Sequence, residues 1–191
     1  MEKDNKLEEM LKQLFLSSND VDKIVYLVKD KYQNKKGIDY LQQALKVGQY
    51  RLHEHREVFS KMIYEEIDEA EMKSMCNAIV TSELENAVSL GHVKDAEEYA
   101  NMVGRKLTKE EIKTMGFRNL YGANNAYRVE VGMELLSSVD AVKEIDRNKL
   151  IKYSKANYGR PNLDISDDWD GACYALSRVA SNLSGYKNSK I

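Results

Sequence analysis

A single proline, Pro161, in 191 residues is the feature that most constrains how this chain folds. All-β folds reverse direction every few residues and lean on Pro and Gly to do it. Here Pro161 stands alone and ten glycines are widely spread. The intervening sequence carries apolar residues at helical spacing. Leu7, Met10, Leu11, Leu14 and Phe15 follow the i, i+3, i+4, i+7, i+8 pattern that lays one apolar stripe along a helix. Val21, Ile24, Val25, Val28 and Tyr32 repeat it after the break at Ser17-Ser18-Asn19-Asp20. A third stripe, Leu41, Ala44 and Leu45, stops at Gly48, and a fourth uses Leu52, Phe59, Met62 and Ile63. Asp68 with Glu71 and Thr108 with Glu111 have the spacing of capping boxes. The first precedes a long stripe from Met72 to Val88; the second opens a helix with Ile112, Met115 and Leu120. Asp140 and Asp146 open two short helices. Ser166 caps a last one, with Trp169 as its core anchor beside Cys173, Leu176 and Ala180. The expectation is an all-α fold of about ten helices forming a single domain over 1–184, followed by a flexible tail over 185–191.

Charge and composition narrow the function classes. Lys and Arg number 29 against 31 Asp and Glu, a net charge of −2, which argues against a general nucleic-acid coat. With 42% hydrophobic and 31% charged residues, the chain reads as soluble and globular rather than disordered. It opens Met1-Glu2-Lys3-Asp4, without the apolar stretch of a secretory signal, and no segment is apolar enough for a membrane span. Cys76 and Cys173 are far apart and outside any metal-type cluster, so a reducing, cytoplasmic setting is expected. The wealth of Lys, Asn, Tyr and Ile suits an AT-rich genome: a bacterial cytoplasm, or a host cytoplasm if the chain is viral.

Ala44-Leu45-Lys46-Val47-Gly48 and Ala87-Val88-Ser89-Leu90-Gly91 share one pattern, and Gly122 follows at the end of another stripe. Each of these glycines is expected in the left-handed conformation that closes a helix. Ala96 and Ala100 on one face allow close helix pairing. Over about residues 40–137 this resembles the helical-repeat families of the tetratricopeptide, HEAT and ankyrin type, which implies stacked helical hairpins; the alternative is an irregular helical bundle.

Motifs for specific chemistry are missing: the chain has no GxxxxGK[ST], HExxH, GxSxG or GxGxxG. His53-Glu54-His55-Arg56-Glu57 is the one histidine cluster. On a helix the two histidines diverge, whereas His53 and Glu57, four apart, could share a metal with a third ligand from elsewhere such as His92; a charged helix surface is the expectation. Glu65, Glu66 and Glu69 resemble the first half of the EExxE…ExxD set with which all-α nucleotide pyrophosphohydrolases of the MazG type gather Mg²⁺, but no ExxD follows at a suitable distance. Ser166, Asp168 and Asp170 before Gly171 match part of a Ca²⁺ loop, whose twelfth position, Ser177, lacks the bidentate glutamate. No catalytic residue, metal site or cofactor is assigned.

The most basic stretch runs from Lys143 to Arg160, with six cations against Glu144 and Asp146. Tyr153 and Tyr158 are interleaved, as in surfaces that pair phosphate contacts with base stacking. Two functions lead, with an all-α nucleotide phosphohydrolase third. The first is a non-enzymatic helical adaptor or regulator that binds another protein, on the strength of capped helices, mixed charge and 12 tyrosines; its binding surface is not legible, and self-association is a further possibility. The second is a nucleic-acid-binding regulator that contacts RNA or DNA through Arg147, Lys149, Lys152, Tyr153, Lys155, Tyr158 and Arg160.

Overall fold

The computed structural model describes residues 37–188. Its regular structure comprises α1 (Ile38–Gly48), α2 (Arg56–Tyr64), α3 (Glu69–Leu90), α4 (Val93–Met102), α5 (Lys109–Tyr121), α6 (Ala126–Ser138), a 3-10 turn (Val142–Glu144), α7 (Arg147–Asn157) and α8 (Trp169–Asn188). Among the described residues there is no strand, so the fold is all-α there, and no helix is long and apolar enough to cross a membrane. The stripes from Leu7 to Phe15 and from Val21 to Tyr32 lie outside the described residues. The described residues divide into two compact units, 37–85 with 98–105, and 86–97 with 106–188.

In the described part of the first unit, the apolar positions of three helices meet: Leu41, Ala44 and Leu45 of α1, Phe59, Met62 and Ile63 of α2, and Met72, Cys76, Ile79 and Val80 of α3. Burying each larger side chain contributes about 1.5–3 kcal/mol. Asp68 caps α3 by accepting from the Glu71 N–H at 2.8 Å. α2 begins at Arg56 rather than at Leu52. Residues 51–55 are held in turns instead, with Arg51 N–H donating to Gly48 O and His55 N–H to Leu52 O. Leu52 still packs on the core from this turn.

In the second unit, Thr108 and Glu111 form the expected reciprocal capping box of α5. α5 and α6 approach unusually closely. A Cβ on Gly132 would lie 2.7 Å from the Leu120 nitrogen and 2.9 Å from the Gly116 oxygen, and one on Gly116 would lie 2.8 Å from Leu136 Cγ. These two glycines are therefore packing residues. Asn125 caps α6 and Asp146 caps α7, each through its side chain. Leu120, Val129, Leu136, Leu150, Leu176 and Ala180 make the core.

Several sequence expectations need correcting. Of the three glycines assigned to left-handed helix ends, Gly91 alone has positive φ (78°). There the His92 N–H donates to Ala87 O and the Gly91 N–H to Val88 O, a Schellman closure. Gly48 remains helical and is small because His55 and Ile79 press on it. Gly122 has φ −106°. Gly104 (φ 74°) closes α4 in the same way as Gly91 closes α3. The short helix expected after Asp140 is a 3-10 helix over Val142–Glu144 whose N-cap is Ala141; Asp140 itself takes left-handed φ (59°) at the end of α6, a conformation short polar side chains tolerate. α8 is capped by Asp168, which accepts from the Gly171 N–H at 3.0 Å, while Ser166 bonds to Asp164. Trp169 is only half-buried and anchors no core: the Arg160 guanidinium lies 4.4 Å from its ring centroid. The α8 backbone continues helically through Gly185 to Asn188.

Candidate protein-binding loop

α7 contains Arg147, Lys149, Lys152 and Lys155 and no acidic residue. Its docking uses two of these cations. Arg147 Nε donates to Ala180 O at 2.9 Å. Lys149 Nζ sits 4.2 Å from the Tyr121 ring centroid, and Tyr121 in turn stacks on Phe117 and accepts from the Asp146 N–H. Arg160 covers Trp169, and Lys143 pairs with Asp140 at 2.7 Å. Of the seven residues predicted to contact nucleic acid, Lys152 and Lys155 remain as exposed, unpaired cations, while Tyr153 and Tyr158 are exposed rings. The structure thus keeps the seven on one helix and its outgoing loop but turns three of the five cations to internal work.

The segment after α7 is more unusual. Between Asn157 and Trp169 the chain has no regular structure, yet its backbone is tied at almost every step. Asp167 is the hub. Its Oδ2 accepts from the N–H groups of Leu163 (3.0 Å) and Asp164 (3.1 Å), and its Oδ1 from the Asn124 amide (2.7 Å). These donors, Leu163 first, hold the Asp167 carboxyl below the usual carboxylate range. The neighbouring Asn125 donates to Ser166 O at 2.8 Å while capping α6. Asp168 N–H donates to Asn124 O at 2.7 Å, and Gly159 N–H to Asp170 Oδ1 at 3.1 Å. Every Asp of the apparent Ca²⁺ loop is thereby a backbone staple or a helix cap, and no group of three His, Cys, Asp or Glu side chains among the described residues has the placement to hold a metal.

What this frame presents is apolar. Leu163 is 81% exposed, Ile165 is fully exposed, and Tyr158 and Tyr174 stand out at 76% and 69%. Leu163 and Ile165 are thus large aliphatic side chains exposed on a loop whose backbone is otherwise well satisfied. The sequence reading missed this site. Its signal was present: Leu163 and Ile165 fall within a Pro-Asn-Asp-Ser loop, where neither has a helical stripe to join.

Other candidate chemistry resolves differently. In the first unit, His55 is buried, contrary to the expected helix surface. Its Nε2–H donates to Glu83 Oε1 at 2.5 Å, and Arg51 Nη1 lies 3.5 Å from the same oxygen. His53 lies in the turn before α2 and is exposed, so it shares no helical face with Glu57. Glu65, Glu66 and Glu69 are exposed and span the link between α2 and α3 rather than one helix face. Burial pushes the Cys76 thiol up to about 11, which makes it a core residue and no nucleophile. In the second unit, an open pocket of about 470 Å³ includes Lys94, Asn119, Tyr127 and Val131. Its buried amide, Asn119, is engaged with Gly91 O, Met115 O and Arg128 Nε, and His92 at its edge lies 3.6 Å from Asp95.

Comparison with family models, with curated proteins and with solved structures finds no match.

Proposed function

We propose that this chain is a non-enzymatic helical adaptor or regulator that binds another protein chain, and that its recognition element is the 158–170 loop. The observation that carries this reading is the pairing of opposites in that loop: a backbone locked by Asp167, Asn124 and Asn125, and tips, Leu163 and Ile165, that touch almost nothing. A loop already ordered before binding loses little entropy on association, so its apolar burial goes into affinity. In the same reading the successive helical hairpins form a repeat-like stack that works in the cytoplasm.

Nucleic-acid binding through the α7 stretch is the competing reading, and it has less support because Arg147, Lys149 and Arg160 are engaged internally. One experiment separates them. Tagged wild type and a Leu163→Ser/Ile165→Ser variant are purified from the native cell with and without nuclease, and bound proteins are identified by mass spectrometry. A stoichiometric protein that survives nuclease and is lost in the variant is the expected result. Partners retained by the variant, or released by nuclease, overturn it.

A further inference from the structure

The loop that presents Leu163 and Ile165 is also acidic. Residues 158–170 contain Asp164, Asp167, Asp168 and Asp170 against Arg160 alone. The element before it has the opposite character: α7, residues 147–157, carries four cations and no acid. Lys152 and Lys155 lie three apart, hence on one side of the helix, and both are exposed. No ion pair joins these lysines to the loop carboxylates within the chain, although the two elements are consecutive and Tyr158, 76% exposed, stands at their junction. An acidic apolar tip beside a basic helix is a self-complementary surface. Two copies related by a two-fold axis place each tip against the other's helix, which satisfies both charge sets twice with one kind of contact.

Resting on the reading of the loop as a docking element, we propose that its occupant is a second copy of this chain, which receives Leu163, Ile165 and the surrounding carboxylates on the Lys152–Lys155 side of its own α7. Exposed carboxylates and ammonium groups supply register and encounter rate; burial of Leu163, Ile165 and Tyr158 supplies the affinity. The loop carboxylates are held by backbone N–H groups but keep their net negative charge, which an acidic partner would repel and a basic helix attracts.

The test uses the full chain by itself, with mass in solution measured by sedimentation and light scattering. The expected result is a species of twice 21.9 kDa whose dissociation constant rises about tenfold or more between about 0.05 and 0.5 M NaCl. Two variants alter exposed residues that the fold does not use: Leu163→Ser/Ile165→Ser removes the tip, and Lys152→Glu/Lys155→Glu reverses its receptor. Each alone is monomeric. Mixed in equal amounts they associate again, more weakly than wild type, because the pair retains one intact tip-on-helix contact. A wild type that stays monomeric, a dimer indifferent to either variant, or a mixture that does not associate overturns the proposal. The two readings fail separately. A monomeric wild type whose tip variant loses a different protein in the native-cell purification refutes the second copy and keeps the loop. A tip variant that keeps every partner refutes both.

Discussion

The buried His55–Glu83 pair makes the sharpest energetic prediction. Both side chains are about 5% exposed, the two are joined at 2.5 Å, and Arg51 Nη1 approaches the same Glu83 oxygen at 3.5 Å. His55→Leu removes the imidazole donor and leaves a carboxylate in the core with only the more distant guanidinium. Breaking a buried pair from one side costs about 3–5 kcal/mol; Arg51 softens this, so about 3 kcal/mol is expected. Glu83→Leu leaves an imidazole N–H without its acceptor, at a cost of about 1–3 kcal/mol. It also returns an apolar residue to the α3 stripe, so the lower end applies. In the double variant neither orphan exists. It is expected within about 1.5 kcal/mol of wild type, because buried pairs and apolar replacements are often near parity. The coupling energy is then about 2.5–4 kcal/mol, far above the ~0.5 kcal/mol scatter of independent sites. Urea unfolding followed by circular dichroism reads it: with a slope near 2 kcal/mol/M, His55→Leu lowers the midpoint by about 1.5 M. A cycle that is additive, or a double variant less stable than His55→Leu, refutes the assignment of Glu83 as a carboxylate dependent on His55.

Two further predictions concern the second unit. Gly132→Ala adds a methyl group 2.7–2.9 Å from backbone atoms of α5, which have no rotamer with which to yield. The strain outweighs the ~1 kcal/mol that Ala gains in helix propensity. The variant therefore unfolds at lower urea than wild type, and an equal or higher midpoint overturns the close-approach argument. Asp167 has a lowered pKa because the loop donates to its ionised form. A depressed folded value means that its contribution is fully present above the ordinary value of 3.8 and is lost as pH falls through the lowered one. NMR titration of the Leu163 and Asp164 amides is expected to show a midpoint below 3.8; a midpoint at or above it removes Asp167 as the hub.

Local signals in the sequence predict local structure well and long-range structure poorly. The Thr108–Glu111 box, the Asp68 and Asp146 caps and the core positions of α1, α2 and α3 follow from spacing alone, since each depends on neighbours within a turn or two. The glycines show where this stops. Gly48, Gly116 and Gly132 are small because a chain segment distant in sequence presses on them, and no periodicity announces such a neighbour. Glu83 was legible in part. It falls in phase with Met72, Cys76 and Ile79, where an apolar residue belongs, and an acid at such a position requires a buried partner. Which of three histidines supplies it depends on the turn over 51–55, which a helix drawn back to Leu52 conceals.

The 158–170 loop turns the same logic around. Its four aspartates look like ligands when read by type, yet the order of the chain makes them acceptors for the N–H groups of Gly159, Leu163, Asp164, Ser166 and Gly171. A loop without secondary structure must satisfy its backbone somewhere. Side-chain oxygens two to eleven residues away do so here, with Asn124 and Asn125 adding a second anchor from the start of α6. The side chains of Leu163 and Ile165 take no part in that frame. Replacing them leaves every donor and acceptor of the loop in place, so the fold gives no account of their being aliphatic, and a serine at either position would serve the loop equally well. The proposed apolar contact outside the chain therefore rests on these two exposed side chains, and the Leu163→Ser/Ile165→Ser variant tests it without disturbing the frame that carries them.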